Sequence, residues 1–237
     1  MWLTNSSVGR KLIMSISGIF LVLFLTFHMS MNLVAIISAD AYNKVCGFLG
    51  SNWYAVAGTA VLVAGVLVHF VMAAILTAQN RNARPVKYEI SSKTDVEWSS
   101  KNMFVLGLVI IGIMCFHLIH FWAKMMLPEL IGSEDMIKET AAIVAQSGLE
   151  CKEVEATQNG AALIKFTFSQ WWVCLIYLAW LCALWFHLTH GIWSALHTVG
   201  MNNKVWMSRI KCISMAFATI ICLGFAAVVV FGYCSNL

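Results

Sequence analysis

Six of the seven histidines of this chain sit inside long apolar runs, in a sequence that is 60% hydrophobic and only 11% charged. His28, His69, His117 with His120, and His187 with His190 occupy four successive runs, and His197 closes the fourth. Imidazole is the commonest side-chain metal ligand and a ready proton carrier. Ionisable groups are costly in hydrocarbon and there face a bundle interior, a cavity or a cofactor. For any single one, the plain alternative is a neutral ring hydrogen-bonded to a neighbouring helix. Four successive runs carrying a central histidine call for a shared explanation.

Depth supplies one. Counted from the outer end of each run, His28 lies 12 residues from Asp40 and His117 lies 11 from Pro128, whereas His69 lies 16 from Trp53 and His187 lies 16 from Trp171. At about 1.5 Å per helical residue these form two levels, each with two rings from two different helices. That arrangement suits two haems, each with two axial histidines, in a four-helix bundle. Filling both axial positions leaves electron transfer, rather than chemistry at the iron, as the implied task. Gly58 and Gly65 lie 11 and 4 residues before His69, and Ser17 lies 11 before His28. Those spacings return to the histidine's own face and would make room for a flat macrocycle, although small residues also serve plain helix packing. His117 with His120, and His187 with His190, are i, i+3 pairs pointing roughly the same way, and neither depth nor face separates their members. The second ring of each pair would bond a propionate, its neighbour or a quinone carbonyl.

The elements that must position these residues are membrane helices. Five runs, about 12–37, 54–79, 103–127, 171–197 and 212–233, match the roughly 20 residues needed to cross the hydrocarbon, and uninterrupted apolar runs cross it as helices. The first is too long for the core of a signal peptide. With the N-terminus inside, the inner segments carry ten of the fifteen Lys and Arg against three acids, and the outer segments carry five against eight. This bias orients the chain N-terminus inside and C-terminus outside. The expected fold is therefore all-α: one transmembrane domain over 1–237, its first four spans forming the haem-binding bundle and 128–170 an outer loop. Within that loop Ile137, Ala141 and Val144 recur at helical spacing and predict a short amphipathic helix on the outer surface. The inner segment 80–102 is basic and polar, and reads as a docking face or as a solvated loop. The eight cysteines include no C-x-x-C pair, which argues against an iron–sulfur or zinc site; Cys46, Cys151 and Cys234 fall outside and are free to pair there. Nucleotide loops and hydrolase or dinucleotide fingerprints are absent.

The stretches "SSVGRKLIMSISGIFLVLFLTFH" with "MNL", "SADAYNKVCGFLGSNWYA", "HFVMAAILTAQNRNARPVKYE", "HLIHFWAKMML" and "HLTHGIWSALHTVG" resemble, in order, the five-helix dihaem cytochrome b subunit of succinate dehydrogenases and fumarate reductases. The outer loop is the least similar part. The resemblance implies one haem ligand from each of the first four spans. The pattern H-x-x-x-G-[IL]-[WY] selects His187 in the fourth, and a histidine followed by leucine and then "FW" selects His117 in the third. Carried over, His28 and His117 hold the outer haem iron, and His69 and His187 the inner one. His120, His190, Ser17 and Asp40 are then second-sphere or quinone-site candidates, Asp40 being as well explained as a helix-end residue. Some dihaem fumarate reductases place a glutamate, assigned to proton movement, two residues before the fourth ligand; here that residue is Trp185.

What the resemblance implies of function is a subunit that does not itself act on succinate. It anchors a flavoprotein subunit and an iron–sulfur subunit on the inner face of a bacterial inner (cytoplasmic) membrane. Through two haem b groups it passes electrons to or from a membrane quinone, with menaquinone the expected substrate. Nucleic acid is not an expected partner. The competing readings are a stand-alone dihaem b cytochrome and a proton-coupled transporter working through buried histidines.

Overall fold

The computed structural model describes residues 6–50, 52–83, 97–149, 155–201 and 203–236. Its elements are α1 Ser7–Ile37, α2 Ala39–Phe48, α3 Trp53–Asn82, α4 Trp98–His117, a π-helical turn Leu118–Trp122, α5 Ala123–Ile131, α6 Glu134–Ser147, a 3₁₀ turn Ala156–Gln158, α7 Gly160–Phe168, α8 Trp171–Thr198 and α9 Lys204–Cys234. Five helices are long and apolar enough to cross a membrane: α1, α3, the continuous run Trp98–Ile131, α8 and Val205–Cys234. The chain is thus an all-helical, multi-pass membrane protein by length and composition.

The apolar runs begin at 12 and 212, yet the helices begin earlier, because a cap rather than the hydrocarbon edge starts a helix. Ser6 Oγ accepts from Gly9 N at 2.9 Å and opens α1, while Asn203 Oδ1 accepts from Val205 N at 2.8 Å and opens α9. Ser38 ends α1 in an extended conformation, and its Oγ accepts from Ala41 N to start α2. Asp40 falls in the first turn of α2, where a carboxylate suits the helix dipole.

The third span runs past Pro128 to Ile131, beyond the boundary at 127 that the proline predicts. Pro128 has no N–H to give to Lys124 O, four residues back. The buried Thr140 hydroxyl donates to that carbonyl instead, at 3.0 Å. The same bond sets how α6 sits. Thr140, Ile143, Val144 and Ser147 face inward, while Ile137 and Ala141 are exposed. Helix α6 is where the periodicity predicts one, but rotated from the expected face and packed on α5 and α7 rather than merely lying on a surface. Together α2, α6 and α7 cap one end of the bundle. At their centre, fully buried Asn43 donates to Asn159 Oδ1 at 2.8 Å and accepts from Ala161 N at 3.0 Å.

Helix α8 is the hub of the spans, packed against α9, α4 and α1. Its Leu181, Leu184 and Leu188 join Met29 of α1 and Ala218, Ile221 and Cys222 of α9 in one apolar cluster. The fifth span therefore shares the packed core with the spans that the sequence reading assigns to the haem-binding bundle. Helix α3 is peripheral: none of its most apolar 18 residues is buried, and it leans on α1. Cys46 and Cys234 are free thiols, and Cys151 lies outside the described residues. Burial pushes the Cys46 thiol up to about 11, against the opposing hydrogen bonds to Tyr42 and Gly160.

Thr140→Val is expected to cost about 1–3 kcal/mol by leaving the Lys124 carbonyl unpaired. In a Pro128→Ala background, where the N–H returns, the cost should shrink markedly. Thermal unfolding of the four variants in detergent forms the double-mutant cycle that checks this coupling.

Candidate functional site

The histidines meet in two pairs across the bundle. His28 of α1 faces His117 of α4 with ring centroids 6.0 Å apart and planes at 82°. His69 of α3 faces His187 of α8 at 6.3 Å and 67°. Each pair joins two helices, and the four helices are used once each. The levels are well separated: Ser17, which touches His69, precedes His28 by 11 residues on one helix, a rise of about 16 Å.

Each pair combines one ring with a polar partner and one without. Ser17 Oγ lies 3.2 Å from His69 Nδ1 and donates its single proton to Met14 O at 3.0 Å. The hydroxyl must therefore accept from Nδ1–H, which leaves the lone pair of His69 on Nε2. Ser17 thus serves His69, not the His28 whose face it shares in sequence. In the other pair, Asn32 Nδ2 donates to the His28 carbonyl oxygen at 2.8 Å and lies almost equally far from both ring nitrogens, 3.4 Å from Nδ1 and 3.5 Å from Nε2, while Tyr42 of α2 donates to Asn32 Oδ1 at 3.0 Å. By contrast, Nδ1 of His117 and Nδ1 of His187 are buried with no hydrogen-bond partner.

Aromatic rings close the space around the His28–His117 pair. Phe24 stacks on His28 at 5.4 Å and Phe225 of α9 approaches to 5.7 Å. Phe121 and Trp180 flank His117 at 5.1 and 5.7 Å. Near the His69–His187 pair a Cβ on Gly18 would come within 3.2 Å of the His69 ring. Gly65 does not leave a gap, because the Phe20 ring occupies it, whereas a Cβ on Gly58 would meet nothing. Gly58 instead lines an open groove of about 540 Å³ between α1 and α3, with Phe20, Phe24 and Phe27.

The members of each i, i+3 pair part company. The π-helical turn Leu118–Trp122 begins directly after His117 and carries His120 to Tyr177, whose Oη lies 3.3 Å from His120 Nδ1, and to the Phe116 ring at 4.1 Å. His190 meets the bundle's other end: its Nδ1 is 3.2 Å from Glu97 Oε2, and its ring is 4.9 Å from Trp193. Lys211 completes that cluster, donating to Glu97 Oε1 at 2.8 Å and lying 4.2 Å over Trp193. His120 and His190 thus each have a polar partner at Nδ1 where His117 and His187 have none, although the Tyr177 ring lies 6.1 Å from both His117 and His120.

A haem can be tested against these residues. With metal–nitrogen bonds of about 2 Å and ring centres about 1.1 Å further on, two imidazoles on opposite sides of one ion have centroids about 6 Å apart. Both pairs match. Among the described residues, no three His, Cys, Asp or Glu gather to hold a bare metal ion, and an axially held macrocycle needs only two. His28, His69, His117 and His187 fit that role, and His120 and His190 do not. Asn32, Tyr42, Tyr177, Phe225 and Gly18 were not singled out from sequence; only spacing from a histidine on the same helix was legible, which reaches Asn32 and no other.

No family model, curated protein or solved structure matches the chain. The resemblance to dihaem cytochrome b subunits rests on the quoted motifs alone.

The Glu97 cluster has a pH signature. Burial raises the Glu97 carboxyl, but the hydrogen bonds and charges of Lys211 and His190 outweigh it and hold the group below its ordinary value. A carboxyl depressed in the folded state contributes stability above its unfolded value of about 4.3, and loses it as pH falls through the lower folded value. Glu97→Gln is expected to cost less than about 1 kcal/mol at pH 7, since the pair is half exposed. Melting curves of variant and parent should converge as the pH falls through the lowered folded value of this carboxyl.

Proposed function

We propose that this chain is the membrane anchor and dihaem electron-transfer subunit of a succinate:quinone oxidoreductase, either a succinate dehydrogenase or a fumarate reductase. The observation that carries the reading is the meeting of four histidines from four helices as two pairs, each at the centroid separation of two axial ligands on one iron. The quoted motifs name the family.

In this reading His28 and His117 hold one haem b, and His69 and His187 the other. Haem b held by these residues would supply one-electron exchange. The protein does the rest. Ser17 fixes the tautomer and orientation of His69, and Asn32, itself held by Tyr42, steadies His28. A partner that accepts from the ring N–H, as the Ser17 hydroxyl does, orients a metal ligand and raises its basicity. Phe24, Phe121, Trp180 and Phe225 pack around the outer pair and keep water from it.

The charge bias of the segments orients the N-terminus inward. The inner segment then docks an iron–sulfur subunit, which in turn carries the flavoprotein subunit; its residues 84–96 lie outside the described residues. A membrane quinone, menaquinone in this reading, exchanges electrons with the chain in a bacterial inner membrane.

Haem quantitation with a reduced-minus-oxidised absorbance spectrum tests the proposal. Two b haems per chain are expected; fewer than two would sink it, and none would favour a histidine-based transporter. His117→Ala and His187→Ala should each lose one haem, while His120→Ala and His190→Ala keep both. Ser17→Ala is expected to keep both ligands of the inner haem but bind it roughly tenfold more weakly, measured by haem transfer to an apo-globin.

A further inference from the structure

At the capped end of the bundle a second cavity, of about 380 Å³, opens between the end of α1, the cap helix α7 and the end of α9. Its size lies in the range of small-molecule sites, about 300–1,000 Å³. One side is apolar, formed by Ile37, Ile164 and Phe231, and the rim is polar, formed by Ser38, Lys165 and Ser235. Ile37 is 84% exposed and ends its span, and Phe231 lies in the last turn of the fifth. The cavity therefore sits where hydrocarbon gives way to headgroups, with its apolar wall toward the lipid.

Lys165 is the one cation on this rim. It is partly buried, and it makes no ion pair with any carboxylate among the described residues. Its backbone is held firmly, since Asn236 Nδ2 donates to Lys165 O at 2.9 Å and ties the end of α9 to α7. A lysine beside an apolar trough complements an amphiphile whose head is negative and whose tail is hydrocarbon. A neutral ring compound would use the trough but not the charge.

We propose that this cavity is a binding site for one anionic phospholipid of the leaflet at the capped end. Its phosphate lies against Lys165 with the Ser38 and Ser235 hydroxyls nearby, and an acyl chain lies along Ile37, Ile164 and Phe231. The lipid bridges α1, α7 and α9, so it clamps the cap to the membrane body. The proposal is independent of whether the histidine pairs hold haem.

The test uses the full chain in nanodiscs of phosphatidylcholine containing a minor fraction of phosphatidylglycerol, followed by native mass spectrometry of the released protein. The parent is expected to retain one phosphatidylglycerol per chain in preference to phosphatidylcholine. Lys165→Gln should lower that retention at least about fivefold, while Lys165→Arg preserves it. Ala39→Leu, which narrows the cavity and leaves every charge in place, should also expel the lipid and decides the matter if Lys165→Gln does not insert. Equal retention of the two lipids, unchanged retention in Lys165→Gln or Ala39→Leu, or a quinone as the retained mass would each overturn the proposal.

Discussion

A bilayer has no water to give a buried imidazole, and the arrangement of this protein follows from that shortage. Each ring carries one N–H and one lone pair, and an unpaired buried polar group costs about 1–3 kcal/mol. One ring of each pair has a polar side chain beside it, Ser17 at His69 and Asn32 at His28. The opposing rings, His117 and His187, keep a buried Nδ1 without a partner. A fold that merely tolerated stray histidines would not arrange them so evenly. Each pair has one anchored member, supplied by α1 or α3, and one unanchored member, supplied by α4 or α8.

This division shapes the helices around it. Apolar packing is concentrated in α1, α8 and α9, which share the cluster built on Met29, Leu184 and Ile221. Helix α3 takes almost no part in that core and presents Val61, Leu67, Val71 and Ile75 outward. In lipid this exposure carries no hydrophobic penalty, because side chains outside the bundle are as well solvated by tails as by other helices. What defines the place of α3 is its contact with α1 and the reach of His69 to His187. The least buried span is therefore held by its packing on α1 and, across the bundle, by the ring contact of His69 with His187.

The five spans and the depth of the histidines were legible in the sequence, because hydropathy and a rise of 1.5 Å per residue are one-dimensional properties. Which helix serves which ring was not. Ser17 shares the face of His28 along α1, but the packing of α1 on α3 delivers its hydroxyl to His69. Gly65 reads as a gap for a macrocycle, and Phe20 from the neighbouring helix fills it. The end of the third span was misjudged for a similar reason. A proline predicts a break when only its own helix is considered, and Thr140, sixteen residues away from Lys124 in sequence, supplies the missing hydrogen bond. Caps such as Ser6 and Asn203 were readable in principle, since short polar side chains before helical runs are their ordinary signature; the apolar edges drew the boundaries inward instead.

The i, i+3 histidine pairs illustrate how far local periodicity reaches. On a regular helix, residues three apart share a face, so His120 should accompany His117 and His190 should accompany His187. Two unrelated devices separate them. In the third span a π-helical turn, opening at the residue after His117, changes the helical register before His120 is reached. Such turns are uncommon and concentrate at functional positions, and this one leaves His117 at the pair while handing His120 to Tyr177. In the fourth span the helix stays regular, and the separation comes from outside it: Glu97, at the start of α4, draws His190 into a cluster with Lys211 and Trp193. A charged partner at the end of another helix outcompetes a shared face. The selection of one histidine from each pair thus rests on tertiary structure in one case and backbone geometry in the other, and both leave His117 and His187 as the rings that meet a partner across the bundle.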